Sequence, residues 1–252
     1  SEFVKIAFIF VGASSLDYLQ RKGNLIGFII FSAICVGALF LMSDFGTAVI
    51  FFGTFLMIAF MRSGDLKTVI LAIVSAVLGG AIVLRFKPYI ADRFQAWGNV
   101  WEYANSTGYQ QARVLTYAAS GGLFGVGLGS GYLKYVAASE SDLVFGLLCE
   151  ETGLILALTV AAAIGALFFY SRAITTRSRS TFYSISACCA AGLLVLQSAL
   201  NIFGATDILP LTGVTLPFVS LGGSSMISCW GLLAFIKAAD ERTYAVAKRR
   251  AK

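Results

Sequence analysis

The sequence predicts an all-α, polytopic transmembrane helical bundle. Three observations carry that prediction. Of 252 residues, 58% are hydrophobic and only 13% are charged, where a soluble domain carries about 25% charged residues. The mean hydropathy is +0.82. The apolar residues gather into runs separated by short basic loops. A soluble chain of this length still needs a polar surface, and a lipid-facing surface removes that need.

Seven apolar runs can be read, at 3–19, 24–42, 45–61, 68–85, 143–170, 182–203 and 214–238. Most approach the roughly 20 residues that a helix needs to cross the hydrocarbon core. The first is short, and the run at 143–170 is long enough to tilt or to protrude. Alternating strands of about ten residues, which a barrel would require, are absent. Arg21 and Lys22 lie between runs one and two, Arg62 and Lys67 between three and four, and Arg172, Arg177 and Arg179 between five and six. The tail adds Lys237, Arg242, Lys248, Arg249, Arg250 and Lys252. Basic residues in alternate loops mark the cytoplasmic side. This predicts a cytoplasmic C-terminus and a large extracytoplasmic loop, 86–142, between spans four and five. Residues 1–252 then read as a single transmembrane domain with Ser1 outside, and an odd number of further spans is expected upstream.

Composition excludes several chemistries. Without histidine there is no Ser-His-Asp triad and no imidazole metal ligand or proton shuttle. The five cysteines fall inside apolar runs without Cys-x-x-Cys spacing, so neither zinc nor a disulfide framework is indicated. A pI of about 9.1 could suggest nucleic acid, but the basic residues sit in short loops and the tail as topology signals, and no nucleic-acid partner is expected.

Polar residues within such a chain mark cavities or pathways. The 86–142 loop carries aromatics suited to a membrane interface, among them Trp97, Trp101, Tyr109 and Tyr132. Residues 109–119 read as a short helix, amphipathic or re-entrant, ended by Ser120-Gly121-Gly122. The glycines from 121 to 131 lack the strand and the Gly-Lys-Ser/Thr of a nucleotide loop. They read as backbone that bends sharply or approaches something closely, with a lipid-phosphate cradle and backbone packing both open. Asp142 stands where the loop meets the next apolar run, within reach of solvent and a headgroup. Glu150 lies eight positions on, about 12 Å deeper on roughly the same face of a continuous helix, with Glu151 beside it. Both acids read as functional or as hydrogen-bonded between helices. The stretch from Asn201 to Ser225 holds Pro210, Pro217, Gly213, Gly222 and Gly223, which suggests broken or re-entrant backbone lining a cavity on the same side as Asp142.

Taken together these residues resemble the SEDS family (shape, elongation, division and sporulation; the FtsW, RodA and SpoVE group). Ser1-Glu2-Phe3-Val4-Lys5 is similar to the continuation of its Gln-Pro-Ser-Glu segment. Asp44-Phe45-Gly46-Thr47 resembles its Asp-x-Gly-Thr. Tyr109-Gln110, Ser120 to Gly125 and Gly127-Leu128-Gly129 resemble its outer loop. Ser141-Asp142, Phe145 and Glu150-Glu151-x-Gly153 follow its Thr-Asp-Phe and Glu-Glu-x-Gly, and Leu209 to Ser225 follows its C-terminal signature. Ser43, Val126, Ala137, Ala138 and Ser141 depart from the usual pattern, and three of them crowd Asp142; Glu140 is a partial substitute for the missing Glu at 138.

The resemblance implies ten spans in whole members and a peptidoglycan glycosyltransferase that polymerises lipid II at the outer face of the bacterial cytoplasmic membrane, with a class B penicillin-binding protein as partner. It implies Asp142 as catalytic base. It implies Arg113, Lys134, Gln110, Ser120, Glu150, Thr212, Ser220 and Ser224 as substrate-binding candidates. Arg113, Lys134 or a divalent cation (Mg or Mn) would offset charge on the leaving pyrophosphate. Two rival readings stay open: a transporter or flippase of lipid-linked precursors, and a non-catalytic scaffold for a cell-wall synthase.

Overall fold

The computed structural model describes residues 2–17, 22–42, 44–63, 67, 70, 73–74, 94–175 and 180–240. Among them the regular structure is helical: α1 (Glu2–Asp17), α2 (Lys22–Leu41), α3 (Phe45–Ser63), α4 (Tyr109–Gly121), a short 3₁₀ helix (Leu133–Tyr135), α5 (Val144–Thr152), α6 (Leu154–Thr175), α7 (Thr181–Ala205) and α8 (Gly223–Ala238). The predicted fourth run and the beginning of the outer loop lie outside the described residues, apart from isolated positions at 70, 73 and 74. Among the described residues, two helices are long and apolar enough to cross a membrane, Leu154–Ile174 and Thr181–Ala205, with mean hydropathies of 2.2 and 1.8. Gly27–Leu39, Phe45–Met61 and Gly223–Ala238 are shorter apolar helices.

The chain divides into two compact units. One comprises residues 1–73, 165–196 and 227–252. Its core is aromatic: the buried Phe8 ring lies 5.6 Å from Phe28, 5.9 Å from Phe31 and 4.9 Å from Phe51. Asp44 opens α3 as an N-cap, its Oδ1 accepting the Thr47 N–H at 3.0 Å, which satisfies one of the four donors a helix start leaves unpaired. The Asp-x-Gly-Thr stretch is thus a helix start. Ser32 and Thr54 return their hydroxyls to carbonyls four residues back, Phe28 at 2.7 Å and Ile50 at 2.8 Å. A hydroxyl in an apolar layer has no water to turn to, and its own helix supplies the acceptor.

The other unit comprises 74–164 and 197–226. Here the structure corrects the reading of 143–170 as one long helix. The run breaks at Gly153 (φ 87°) into α5 and α6. A break leaves carbonyls unpaired at the end of α5 and N–H groups unpaired at the start of α6, at a cost of several kcal/mol each in apolar surroundings. The glycine segment supplies the partners. Val126 and Gly127 donate to the carbonyls of Glu150 and Glu151 at 2.9 and 3.0 Å. Leu154 and Ile155 donate to the carbonyls of Gly122 and Leu123 at 3.0 and 3.4 Å. At Gly121 and Gly125 the reading of backbone packed on backbone is realised. A Cβ at Gly125 would run into the Glu151 carbonyl, and one at Gly153 into that of Leu123.

Beneath this ribbon α4 packs on α5, with Gly146 admitting Val114 and Val114, Leu133, Val136, Leu143 and Ala205 forming a buried cluster. The run at 214–238 is helical only from Gly223; residues 206–222 are irregular, with positive φ at Asp207 (61°), Gly213 (69°) and Phe218 (66°).

Two glycine substitutions separate close approach from mere backbone freedom. Gly125→Ala should destabilise by more than about 2 kcal/mol, since the strain of the left-handed region adds to the collision with Glu151. Gly129→Ala, at φ 73° with open space around it, should cost only about 1 kcal/mol. Thermal unfolding of the two variants in detergent reads the difference.

Candidate active site

Asp142 lies in a turn ahead of α5, not within it. The eight-residue spacing to Glu150 therefore does not carry both acids along one helical face, because the intervening chain is not all helix. The turn begins at Ala138, a residue with a Cβ held at φ 63°, where an L side chain costs about 1–2 kcal/mol. That conformation aims the Ala138 carbonyl at three consecutive N–H groups, those of Ser141 (3.2 Å), Asp142 (3.0 Å) and Leu143 (3.1 Å).

The turn's own carbonyls are held from the opposite side. Leu221 N–H donates to Glu140 at 2.8 Å, the Ser220 hydroxyl to Ser141 at 2.6 Å, and the Asn201 amide to Asp142 at 2.9 Å. Three successive carbonyls are thus fixed by three donors from residues 201–221. Gln110 on α4 adds a fourth tie, to the Ala137 carbonyl at 3.0 Å. The Asp142 residue itself is half-buried, so its backbone is locked while solvent still reaches it.

The candidates divide by geometry. Ser220 is buried, accepts the Leu216 N–H at 2.7 Å and donates to Ser141; it shapes the site from behind. Thr212 is buried, with no hydrogen-bond partner for its hydroxyl. Ser224 is exposed at the start of α8. Ser120 is exposed and donates to Tyr117 at 2.7 Å, about 15 Å along α4 from Gln110 at 1.5 Å per residue. Arg113 is exposed with its guanidinium 5.2 Å from the Tyr109 ring centre. Lys134 is exposed, 5.2 Å from the Tyr135 ring centre, and donates to the Gly129 carbonyl.

Glu150 is turned inward onto backbone. It is 1% exposed, and its two carboxylate oxygens accept the N–H groups of Tyr132 (2.7 Å) and Leu133 (2.9 Å). These are the unpaired donors at the start of the 3₁₀ helix, so the carboxylate braces that helix against α5. The acid reads from sequence as a candidate ligand group because a buried charge announces a task but not which one.

Asn201 and Asp207 are the residues that the motifs alone do not single out. The signal for the first is a polar pair, Gln197 and Asn201, one turn apart in an otherwise apolar helix. Gln197 donates to the Thr215 carbonyl (3.0 Å) and hydroxyl (2.9 Å), and Asn201 also donates to the Val214 carbonyl at 2.7 Å. Asp207 follows the end of α7 in a left-handed conformation that Asp tolerates. Its Oδ1 accepts the Gly98 N–H at 3.2 Å and the Gln111 amide at 3.4 Å, and Trp97 donates to the Ile208 carbonyl at 3.1 Å. The segment around Trp97 and Gly98 is fastened there. Burial raises the Asp207 carboxyl above the usual carboxylate range, and the Gly98 bond partly offsets this.

Among the described residues no three His, Cys, Asp or Glu side chains gather as a metal site would need. An apolar cavity of about 430 Å³ opens beside α4 and α5, lined by Val114, Leu115, Ala118, Phe145, Cys149 and Leu154 among others.

Comparison with known proteins places these features in a family. The FtsW, RodA and SpoVE family, described as "Cell cycle protein", matches residues 1–245. A "Probable peptidoglycan glycosyltransferase FtsW" of Dichelobacter nodosus is 34% identical over all of this chain and 66% of its own length. A protein of the same description from Bacillus subtilis is 29% identical over 82% of this chain and 54% of its own. A "Peptidoglycan glycosyltransferase RodA" of Mycobacterium leprae is 30% identical over 86% of this chain and 47% of its own. The chain thus spans about two thirds or less of these relatives. In three dimensions, a chain from a peptidoglycan synthase complex that coordinates polymerization and crosslinking superposes with a TM-score of 0.73 at 20% identity, over 93% of this chain and 67% of that one. The shared fold is helical.

Two expectations follow from the buried Glu150 and the half-buried Asp207. Glu150→Gln leaves one of two backbone N–H groups facing an amide NH₂, and should lower stability by about 1–3 kcal/mol, read as a lowered melting temperature in detergent. Asp207→Asn keeps the acceptor oxygen and the left-handed turn but removes the charge. A carboxyl raised in the folded state contributes stability below its unfolded value, near 3.9, and loses it as pH rises through the folded value. The Asn variant should therefore equal or exceed wild type in melting temperature at pH 7, and the gap should close as pH falls towards 4.

Proposed function

Because the chain belongs to the FtsW, RodA and SpoVE family of cell cycle proteins, we propose that it carries the active site of a peptidoglycan glycosyltransferase that polymerises lipid II, with Asp142 as general base. The chain is an integral membrane protein. In this reading it contributes seven spans, its C-terminus is cytoplasmic, and the 86–142 segment with Asp142 faces the outside, where lipid-linked substrate is presented. A class B penicillin-binding protein is the partner that would cross-link the product. The observation that carries the reading is the half-buried acid whose turn is held by Ala138, Asn201, Ser220 and Leu221.

The chemistry matches that arrangement. The Asp142 carboxylate takes the proton from the acceptor sugar's 4-hydroxyl as that oxygen attacks the anomeric carbon of the donor. The bond from the anomeric carbon to the lipid pyrophosphate breaks, and the electron pair leaves with the phosphate oxygen. Asp142 then returns its proton to solvent. A base held within hydrogen-bond reach contributes about 10²–10⁴-fold to such a step. The growing charge on the pyrophosphate falls to the exposed cations Arg113 and Lys134, and no step is assigned to a metal. The apolar cavity beside α4 and α5 suits a lipid tail better than a sugar.

Asp142→Asn keeps the size of the side chain and removes the base. In the full-length protein with its cognate transpeptidase, glycan strand formation from lipid II should fall by at least about 100-fold, as read on gels of the polymer. A variant that polymerises at the wild-type rate would remove Asp142 from the mechanism. Translocation of lipid II in liposomes, with no polymer formed, would instead favour a flippase.

A further inference from the structure

We propose that Asn201 is a positioning residue for Asp142. Its amide, standing on α7, sets where the acid lies by holding the carbonyls of Asp142 and Val214 together. This rests on the reading of Asp142 as base and extends it to a residue that never meets substrate, since Asn201 is 2% exposed.

The argument is one of donor and acceptor inventory. An Asn amide nitrogen has two N–H groups, and the two partners here are carbonyls, Asp142 at 2.9 Å and Val214 at 2.7 Å. Carbonyls only accept, so the nitrogen must face them and the orientation of the amide is fixed by chemistry. The opposite end bears the consequence: Oδ1 is buried with no hydrogen-bond partner. An orphaned buried acceptor is destabilising. An apolar side chain of similar volume would avoid that cost, but would leave both carbonyls unpaired.

The placement of the ties isolates Asn201 further. Ser220 and Leu221 bind the Ser141 and Glu140 carbonyls from within the irregular stretch 206–222. One turn back on the same helix face, Gln197 ties α7 to that stretch at Thr215. Asn201 is the residue that joins all three pieces, the regular helix α7, the stretch at Val214 and the Asp142 backbone itself. Removing it leaves the turn and the stretch bound to each other but takes away this bond from the helix to the acid. The carboxylate then drifts relative to the rest of the bundle, while exposed Arg113 and Lys134, which sit on other elements, stay where they were. The consequence is a loss in turnover with little change in substrate affinity.

The test is the full-length protein with its cognate transpeptidase, assayed with lipid II for kcat and KM, together with thermal unfolding of the same preparations. Asn201→Ala should lower kcat by roughly tenfold to a hundredfold, the range a reacting group misplaced by about 1 Å costs, with KM within about twofold of wild type. The loss should persist at assay temperatures well below unfolding. A kcat that returns to wild type on cooling, or one within about twofold of it throughout, would overturn the assignment. Should Asn201→Ala not fold, Asn201→Asp keeps the volume; facing two carbonyls it stays protonated and donates a single bond, so an intermediate kcat is expected, and a wild-type kcat would count against the inference. If the wild type makes no polymer, or Asp142→Ala makes as much as the wild type, the glycosyltransferase reading fails. If both controls behave and Asn201→Ala is unaffected, only this inference fails.

Discussion

A helix interrupted inside an apolar layer exposes carbonyls on one side of the break and N–H groups on the other, with no water to receive them. The break at Gly153 is the constraint on which the rest of its unit depends. It is tolerable because the segment from Gly121 to Gly127 lies across it and exchanges four backbone hydrogen bonds with residues 150–155. Backbone can lie on backbone that closely only where side chains are missing, which is why Gly121, Gly125 and Gly153 each stand where a Cβ would meet a carbonyl. The same crossing brings the 3₁₀ helix within reach of Glu150, whose carboxylate then closes its N-terminus. Glycine loop, broken helix and buried acid are three parts of one solution.

The site repeats that logic on a smaller scale. A turn with a left-handed alanine concentrates three N–H groups on one carbonyl and turns its own carbonyls outward, where donors from 201–221 take them up. The main chain around Asp142 is over-determined, so the energy of the left-handed Ala138 is held by many weak bonds at once, as strained residues require. A residue held this firmly has little orientational freedom left to lose, which is what the proposed role as base would require of it.

The helical class and most elements were legible in the sequence because apolar runs of membrane length leave few alternatives. α4 was legible too, bounded by Tyr109 and the Gly121-Gly122 pair. The break at Gly153 was not, because the run continues apolar on both sides and the groups that satisfy it lie some thirty residues upstream. Asp142 was singled out by its place at a polar-to-apolar junction and by the resemblance, and the structure sets it in a turn just ahead of α5. Its companions were read less well, for a physical reason: a buried polar side chain in an apolar chain has either a ligand or the backbone as partner, and sequence records the residue without the partner. Glu150 and Ser220 proved to be bound to backbone, and so did Asn201, which the sequence marked only as the start of an irregular stretch.

The acids of the described chain show how such a protein sorts its charges. Asp44, Glu150 and Asp207 each commit carboxylate oxygens to backbone N–H groups, at a helix start, a 3₁₀ start and a loop turn. In an apolar protein that is the ordinary way to keep a negative charge, since several N–H dipoles replace the water it has lost. Asp142 is anchored through its main chain as well, by its carbonyl, which the Asn201 amide reaches, and by its N–H, which the Ala138 carbonyl receives. Anchoring of that kind fixes the place of a residue in the fold through bonds that do not depend on its side chain.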